Sequence, residues 1–138
     1  MAKMKVRYEG DIRTFAEHLL SGKTLITDGP PDNHGKGEAF SPTDLMCTSL
    51  ACCQLSIMGI VAKREGIAIE GLWVDVEKIM QANPRRVAEI RIIYHSPEGL
   101  KITAKQKAML ENAAKTCPVG LSLSTDIKQH IEFDFQTI

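Results

Sequence analysis

Apolar and polar residues alternate at the start of the chain. Met4, Val6 and Tyr8 are interleaved with Lys5, Arg7 and Glu9, the two-residue period of a strand with one buried face. A second short strand is expected over 12–18 and a third over 24–27. From Asp28 to Phe40 the alternation stops, and Gly29, Pro30, Pro31, Asp32, Asn33, Gly35 and Gly37 block regular structure. A loop of that length inside a compact domain is often functional.

The pattern then changes to that of a helix. Ser41 suits a cap, Pro42 the first helical position, and Asp44 the acid of a capping box. The helix is expected to run to about Glu65 and stop at Gly66. Leu45, Met46, Leu50, Ala51, Leu55, Ile57, Met58, Ile60 and Val61 surround most of it, which places it in the middle of a core. One small curved sheet cannot cover such a helix on all sides, so a homodimer with a large apolar interface is expected.

Two alternating runs follow. Leu72, Val74 and Val76 form the apolar side of one, and Ala88, Ile90, Ile92 and Tyr94 that of the other. Asn83-Pro84 lies between them, which predicts an antiparallel hairpin. Thr103 to Gln106 is a second capping box, opening a helix through Met109, Leu110, Ala113 and Ala114. Cys117 precedes Pro118 and so ends that helix, with a short helix expected from Pro118. Ile127, Ile131, Phe133 and Phe135 then form a last strand, with Lys128, His130, Glu132 and Asp134 facing away. Strands, a long helix, a hairpin, a helix and a strand define an α+β class, read as a single domain over 1–138.

Composition adds constraints. Seventeen Lys and Arg balance seventeen Asp and Glu, so net charge draws the protein to neither nucleic acid nor an anionic membrane. The apolar stretch around residue 50 is broken by Ser49, Gln54 and Ser56, and the charged first residues contain no apolar core of a secretory signal. A cytoplasmic location follows, where four cysteines are expected to be thiols.

The chemistry of the chain centres on those thiols. Cys117 stands at the cap of a new helix, where its sulfur can meet unpaired backbone N–H groups that favour the thiolate. A small buried hydrophobe is the commoner role for a free cysteine, and core packing is the expected role of Cys47 and Cys52. Cys52 and Cys53 are about 100° apart on a helix and cannot face one partner. No pair of cysteines or histidines has zinc-ligand spacing, and Gly35-Lys36-Gly37 is not a phosphate loop. No metal and no cofactor are therefore expected. His18, His34, His95 and His130 are scattered and read as surface or loop residues.

Several segments together resemble one family. Phe40-Ser41-Pro42-Thr43-Asp44-Leu45, Ser49-Leu50-Ala51-Cys52-Cys53 and residues 62–67 resemble the central helix of the OsmC and Ohr proteins, the osmotically inducible and organic-hydroperoxide-resistance proteins. Cys117-Pro118-Val119 resembles their second cysteine segment, and Ser21-Gly22 and Thr27-Asp28-Gly29-Pro30 are similar to their N-terminal part. The resemblance implies antiparallel sheets wrapped around two long central helices in an intertwined homodimer, with active sites at the interface. It also implies a cysteine-based peroxidase acting on a small hydroperoxide and re-reduced by a thiol. Cys53 would attack the peroxide and Cys117 would resolve the sulfenic acid as a disulfide. Organic hydroperoxides are favoured because the surroundings of the helix are apolar.

The chain also departs from that pattern. Peroxidases of this family usually carry a Glu ten residues before the reactive cysteine, where this chain has Thr43, followed by Asp44. The arginine that holds their thiolate has no matched counterpart, since Arg7 and Arg13 fall on expected strands. Two readings therefore stand: a thiol-dependent hydroperoxide reductase, or a small-molecule binding or thiol-transfer protein on the same fold.

Overall fold

A computed structural model describes residues 2–138 and resolves two compact units, one ending at Met46 and the other Cys47–Ile138. In the first unit, β1 (Met4–Gly10), β2 (Arg13–His18) and β3 (Thr24–Asp28) form an antiparallel sheet in that order. The β2–β3 register pairs Glu17 with Thr24 and therefore Arg13 with Asp28. The following loop contains one 3-10 turn at Pro31–Asn33 and is closed by the Asp28 N–H donating to the Phe40 carbonyl. Its chain doubles back so tightly that a Cβ on Gly35 would lie 1.7 Å from the Gly29 carbonyl oxygen.

The strand periodicity of β1 is correct, but its apolar side is not covered within its own unit. Met4, Val6 and Tyr8 are 65–68% exposed. A three-stranded sheet offers this face no second layer of its own.

Helix α1 (Pro42–Glu65) begins and ends where its residues dictate. The Ser41 and Asp44 side chains cap it reciprocally, at 3.0 Å and 3.1 Å to backbone N–H groups. Gly66 takes a left-handed φ of 69°, and the Ile67 N–H bonds back to Ala62. Within one chain Cys47, Leu50, Ala51, Gln54, Met58 and Ala62 form one buried stripe, whereas Cys52 and Ile60 are exposed. The stripe follows the helical period, so a single chain covers one face. By length and composition alone α1 would suit a membrane span, but its buried stripe is that of a core helix.

In the second unit β4 (Trp73–Gln81), β5 (Arg86–His95) and β6 (Lys128–Asp134) form a sheet in that order. The predicted β4–β5 hairpin is antiparallel, but β6 runs parallel to β5, so this sheet is mixed. The crossover that parallel pairing needs is supplied by α2 (Ala104–Ala114) and α3 (Pro118–Ser122). Thr103 and Gln106 form the capping box of α2. Ile90, Ile92, Tyr94, Ile102 and Leu110 are fully buried with Leu50 and Met58.

Candidate active site

Two cysteines far apart in sequence meet in the second unit. Cys53 is half-buried on α1, and Cys117 is 1% exposed at the cap of α3. Both are free thiols, and Cys53 lies close enough to Cys117 to raise its pKa. The Gly120 N–H donates to the Cys117 sulfur at 3.2 Å, as the sequence position before Pro118 predicts. A Cβ on Gly120 would come within 3.3 Å of that sulfur, so glycine permits the close approach.

Burial pushes the Cys117 thiol pKa up; backbone N–H groups of Gly120 and Val119 oppose this, and Cys53 reinforces it. Within this unit the cap alone does not make Cys117 a thiolate. The other two cysteines are separate from the pair. Cys47 is buried, as expected, but Cys52 is exposed, which corrects its assignment to core packing. The cause is its place on α1, one residue and about 100° beyond Ala51 on the buried stripe.

Two polar neighbours of the pair carry no signature in the sequence. The Tyr94 hydroxyl, fully buried on β5, donates to the Oε1 of Gln54, itself 1% exposed on α1. The Tyr94 ring stacks on Phe133 with centroids 4.8 Å apart. Burial first, and then the nearby sulfurs of Cys117 and Cys53, push the Tyr94 pKa up. Gln54 was legible only as an interruption of an apolar run, and Tyr94 only as one apolar position among several.

The first unit holds a different cluster. Arg13 grips the fully buried Asp28 with both ends of its guanidinium, Nε to Oδ1 at 2.6 Å and a terminal nitrogen to Oδ2 at 2.8 Å. The Glu38 N–H also donates to Oδ2, at 3.0 Å. The Arg13 bond, helped by that N–H, holds the Asp28 carboxyl below its ordinary pKa despite burial. The β2–β3 register contained this pair, since a hairpin joining Glu17 to Thr24 also sets Arg13 opposite Asp28. Asp44 accepts the Ser41 N–H in the helix cap.

The histidines are ordinary surface or strand-end groups: His95 lies against Trp73 at 4.1 Å and within 3.0 Å of Asp75. Among the described residues no group of three or more His, Cys, Asp or Glu could hold a metal ion.

Comparison with known proteins bears on the fold and the family. A candidate osmotic stress induced and detoxification response protein of Psychrobacter arcticus is 48% identical over 96% of each chain, with a TM-score of 0.91. More distant structures share the fold. The organic hydroperoxide resistance protein OsmC of Legionella pneumophila is 19% identical over 98% of both chains, with a TM-score of 0.73. OhrB of Bacillus subtilis, an organic hydroperoxide resistance protein, is 16% identical over 97% of this chain and 98% of its own, with a TM-score of 0.66. No curated protein matches the chain significantly. The family model for OsmC-like protein matches residues 35–132, which include both Cys53 and Cys117, and the chain belongs to the OsmC-like protein family.

Proposed function

We propose that the chain is a thiol-dependent hydroperoxide reductase in which Cys53 is oxidised and Cys117 resolves it. The observation that carries this reading is the close pair itself, a half-buried thiol beside a buried one. Membership of a family with organic hydroperoxide resistance proteins among its structural neighbours supports it. The Cys53 thiolate attacks the terminal peroxide oxygen, giving Cys53–SOH and an alkoxide that takes up a proton as the alcohol. The Cys117 thiol then displaces water from the sulfenic acid to form the disulfide, and a dithiol reductant restores both thiols while itself becoming a disulfide.

The working form is a homodimer of single-domain chains. The exposed side chains of Met4, Val6, Tyr8, Ile60 and Leu121 support this, being large apolar groups that one chain leaves in water. The thiolate requires a positive charge or donors beyond the Cys117 cap, and an arginine from the partner chain would meet that need. The protein works without metal or cofactor, in a reducing cytoplasm.

A second reading, small-molecule binding or thiol transfer without peroxide reduction, is favoured by one observation. Thr43 stands at the position of the family's usual Glu, and the neighbouring Asp44 carboxylate is engaged in the helix cap.

Mass spectrometry after organic hydroperoxide treatment separates the readings. Wild type is expected to form one Cys53–Cys117 disulfide per chain. Cys117→Ser should stop at a trappable sulfenic acid on Cys53, and Cys53→Ser should consume no peroxide. Peroxide consumption by Cys53→Ser at the wild-type rate would refute the assignment, and none by wild type would favour the second reading.

A further inference from the structure

Next to the thiol pair lies a cavity of about 430 Å³ whose walls include Gln54, Gly120, Leu121, Gln129 and Ile131, with no acidic side chain. It is tied to the pair through Gly120, which donates to the Cys117 sulfur. The Gln129 amide is engaged, its Nε2 donating to the Gly120 carbonyl at 3.1 Å. Gln54 is different. Its Oε1 accepts from Tyr94, but its Nε2 has no protein acceptor among the described residues. No fully buried side-chain nitrogen or oxygen among them lacks a partner, so this nitrogen opens on the cavity that Gln54 lines. A side chain 99% covered by protein thus presents one unused donor to a space that Ala114, Leu121 and Ile131 line together with Lys115 and Gln129. Leaving such a donor unmet costs stability unless a ligand or water meets it.

Adjacent helix residues diverge by about 100°, and the group that links Gln54 to the surroundings of Cys53 is Tyr94. The Tyr94 hydroxyl holds the Gln54 amide and lies close enough to both sulfurs to feel their charge. We propose that Gln54 is a catalytic residue for peroxide reduction: its Nε2 donates a hydrogen bond to the peroxide oxygen that leaves, and Tyr94 is the positioning residue that keeps that nitrogen toward the cavity. This rests on reading Cys53 and Cys117 as a peroxide-reducing pair. In the step, the Cys53 sulfur bonds the terminal oxygen and is oxidised by two electrons to Cys53–SOH. The O–O bond breaks, and the other oxygen leaves with the bonding electrons as an alkoxide. The Gln54 donor stabilises that growing negative charge, and the alkoxide then takes from solvent the equivalent of the proton Cys53 lost on ionising. Gln54 keeps its own protons throughout.

The test separates attack on peroxide from reactivity of the thiol. The rate of Cys53 oxidation by cumene hydroperoxide is compared with the rate of its alkylation by iodoacetamide, which has no leaving peroxide oxygen. Gln54→Leu should slow oxidation by about tenfold or more and leave alkylation within about twofold. The double variant Gln54→Leu/Tyr94→Phe removes both halves of the buried bond, which protects folding, and should show the same loss. Tyr94→Phe alone should lose less, because the amide is retained but no longer held. Oxidation at the wild-type rate in both Gln54 variants overturns the proposal, as does a parallel fall in alkylation. A wild-type protein whose Cys53 is alkylated but never oxidised overturns the peroxidase reading and this proposal with it.

Discussion

The two units are stabilised by opposite means. Every buried hydrophobic residue among those described belongs to the second unit, from Cys47 to Phe135. The buried residues of the first unit are Thr27, Asp28, Gly29 and Ser41, none of them hydrophobic. Its apolar side chains on β1 stand in water while a buried carboxylate is clasped by Arg13. Burial pushes both acids' pKa up, but the net results are opposite in the two places. Asp28 is buried against a cation and its pKa falls; Cys117 is buried with no cation beside it, next to a second thiol, and its pKa rises. What accompanies burial therefore decides the sign of the shift. A thiol needed as thiolate cannot obtain it from burial in the second unit alone.

The sharpest test of the contrast is a pair of apolar substitutions. Ile92 is fully buried on β5, and Val6 is 68% exposed on β1. Ile92→Ala should cost about 2–5 kcal/mol by thermal or denaturant unfolding. Val6→Asp should change the stability of the isolated chain by less than about 0.5 kcal/mol but shift the solution mass from dimer toward monomer. Equal losses from both, with the mass unchanged, would dissolve the distinction.

Next in size is the loop of the first unit, whose organisation rests on close backbone contact. Gly35→Ala should cost about 1–3 kcal/mol, because the new Cβ meets the Gly29 backbone, which cannot move aside as a flexible side chain would. Thr103→Ala at the exposed cap of α2 should cost about 1 kcal/mol, read as a lower denaturation midpoint with an unchanged slope. A larger loss there than at Gly35 would mean that the α2 crossover, and not the loop, limits stability.

What could be read from the chain follows the range of the forces involved. Helix ends were legible because caps are local: Ser41 with Asp44, Thr103 with Gln106, and Gly66 act within one turn. The cysteine pair was legible through resemblance, since no local rule joins Cys53 to Cys117. The parallel pairing of β6 was not, because strand order in a sheet depends on a crossover that periodicity does not encode. Nor was the exposure of β1, where alternation reports that one face is apolar but not whether this chain covers it. Gln54 and Tyr94 were missed for a related reason. Each looks ordinary alone, and only the packing of α1 on β5 turns them into a buried bond beside the thiols.

The smallest effect expected is a gradual dependence of stability on pH, with one limb for each unit. On the acid side, Asp28 has a folded pKa below its ordinary 3.8. The unfolded state then binds more protons between the two values, so stability is fully present above about 3.8 and falls as pH drops through the folded value. Asp28→Asn should flatten this limb. On the alkaline side the sign reverses. Cys117 is raised above its ordinary 9.0, so the folded state retains the proton longer, and stability present below that value declines as pH climbs through the folded value. Tyr94, also raised, extends the decline beyond its ordinary 10.0. Cys117→Ser should therefore remove the earlier part of the alkaline fall and leave the later part, while the acid limb stays as in wild type. Thermal melts of the reduced protein across pH 3 to 11 read both limbs. An alkaline limb unchanged in Cys117→Ser would mean that a charge supplied to the pair, as by a partner-chain arginine, already offsets the effect of burial on Cys117.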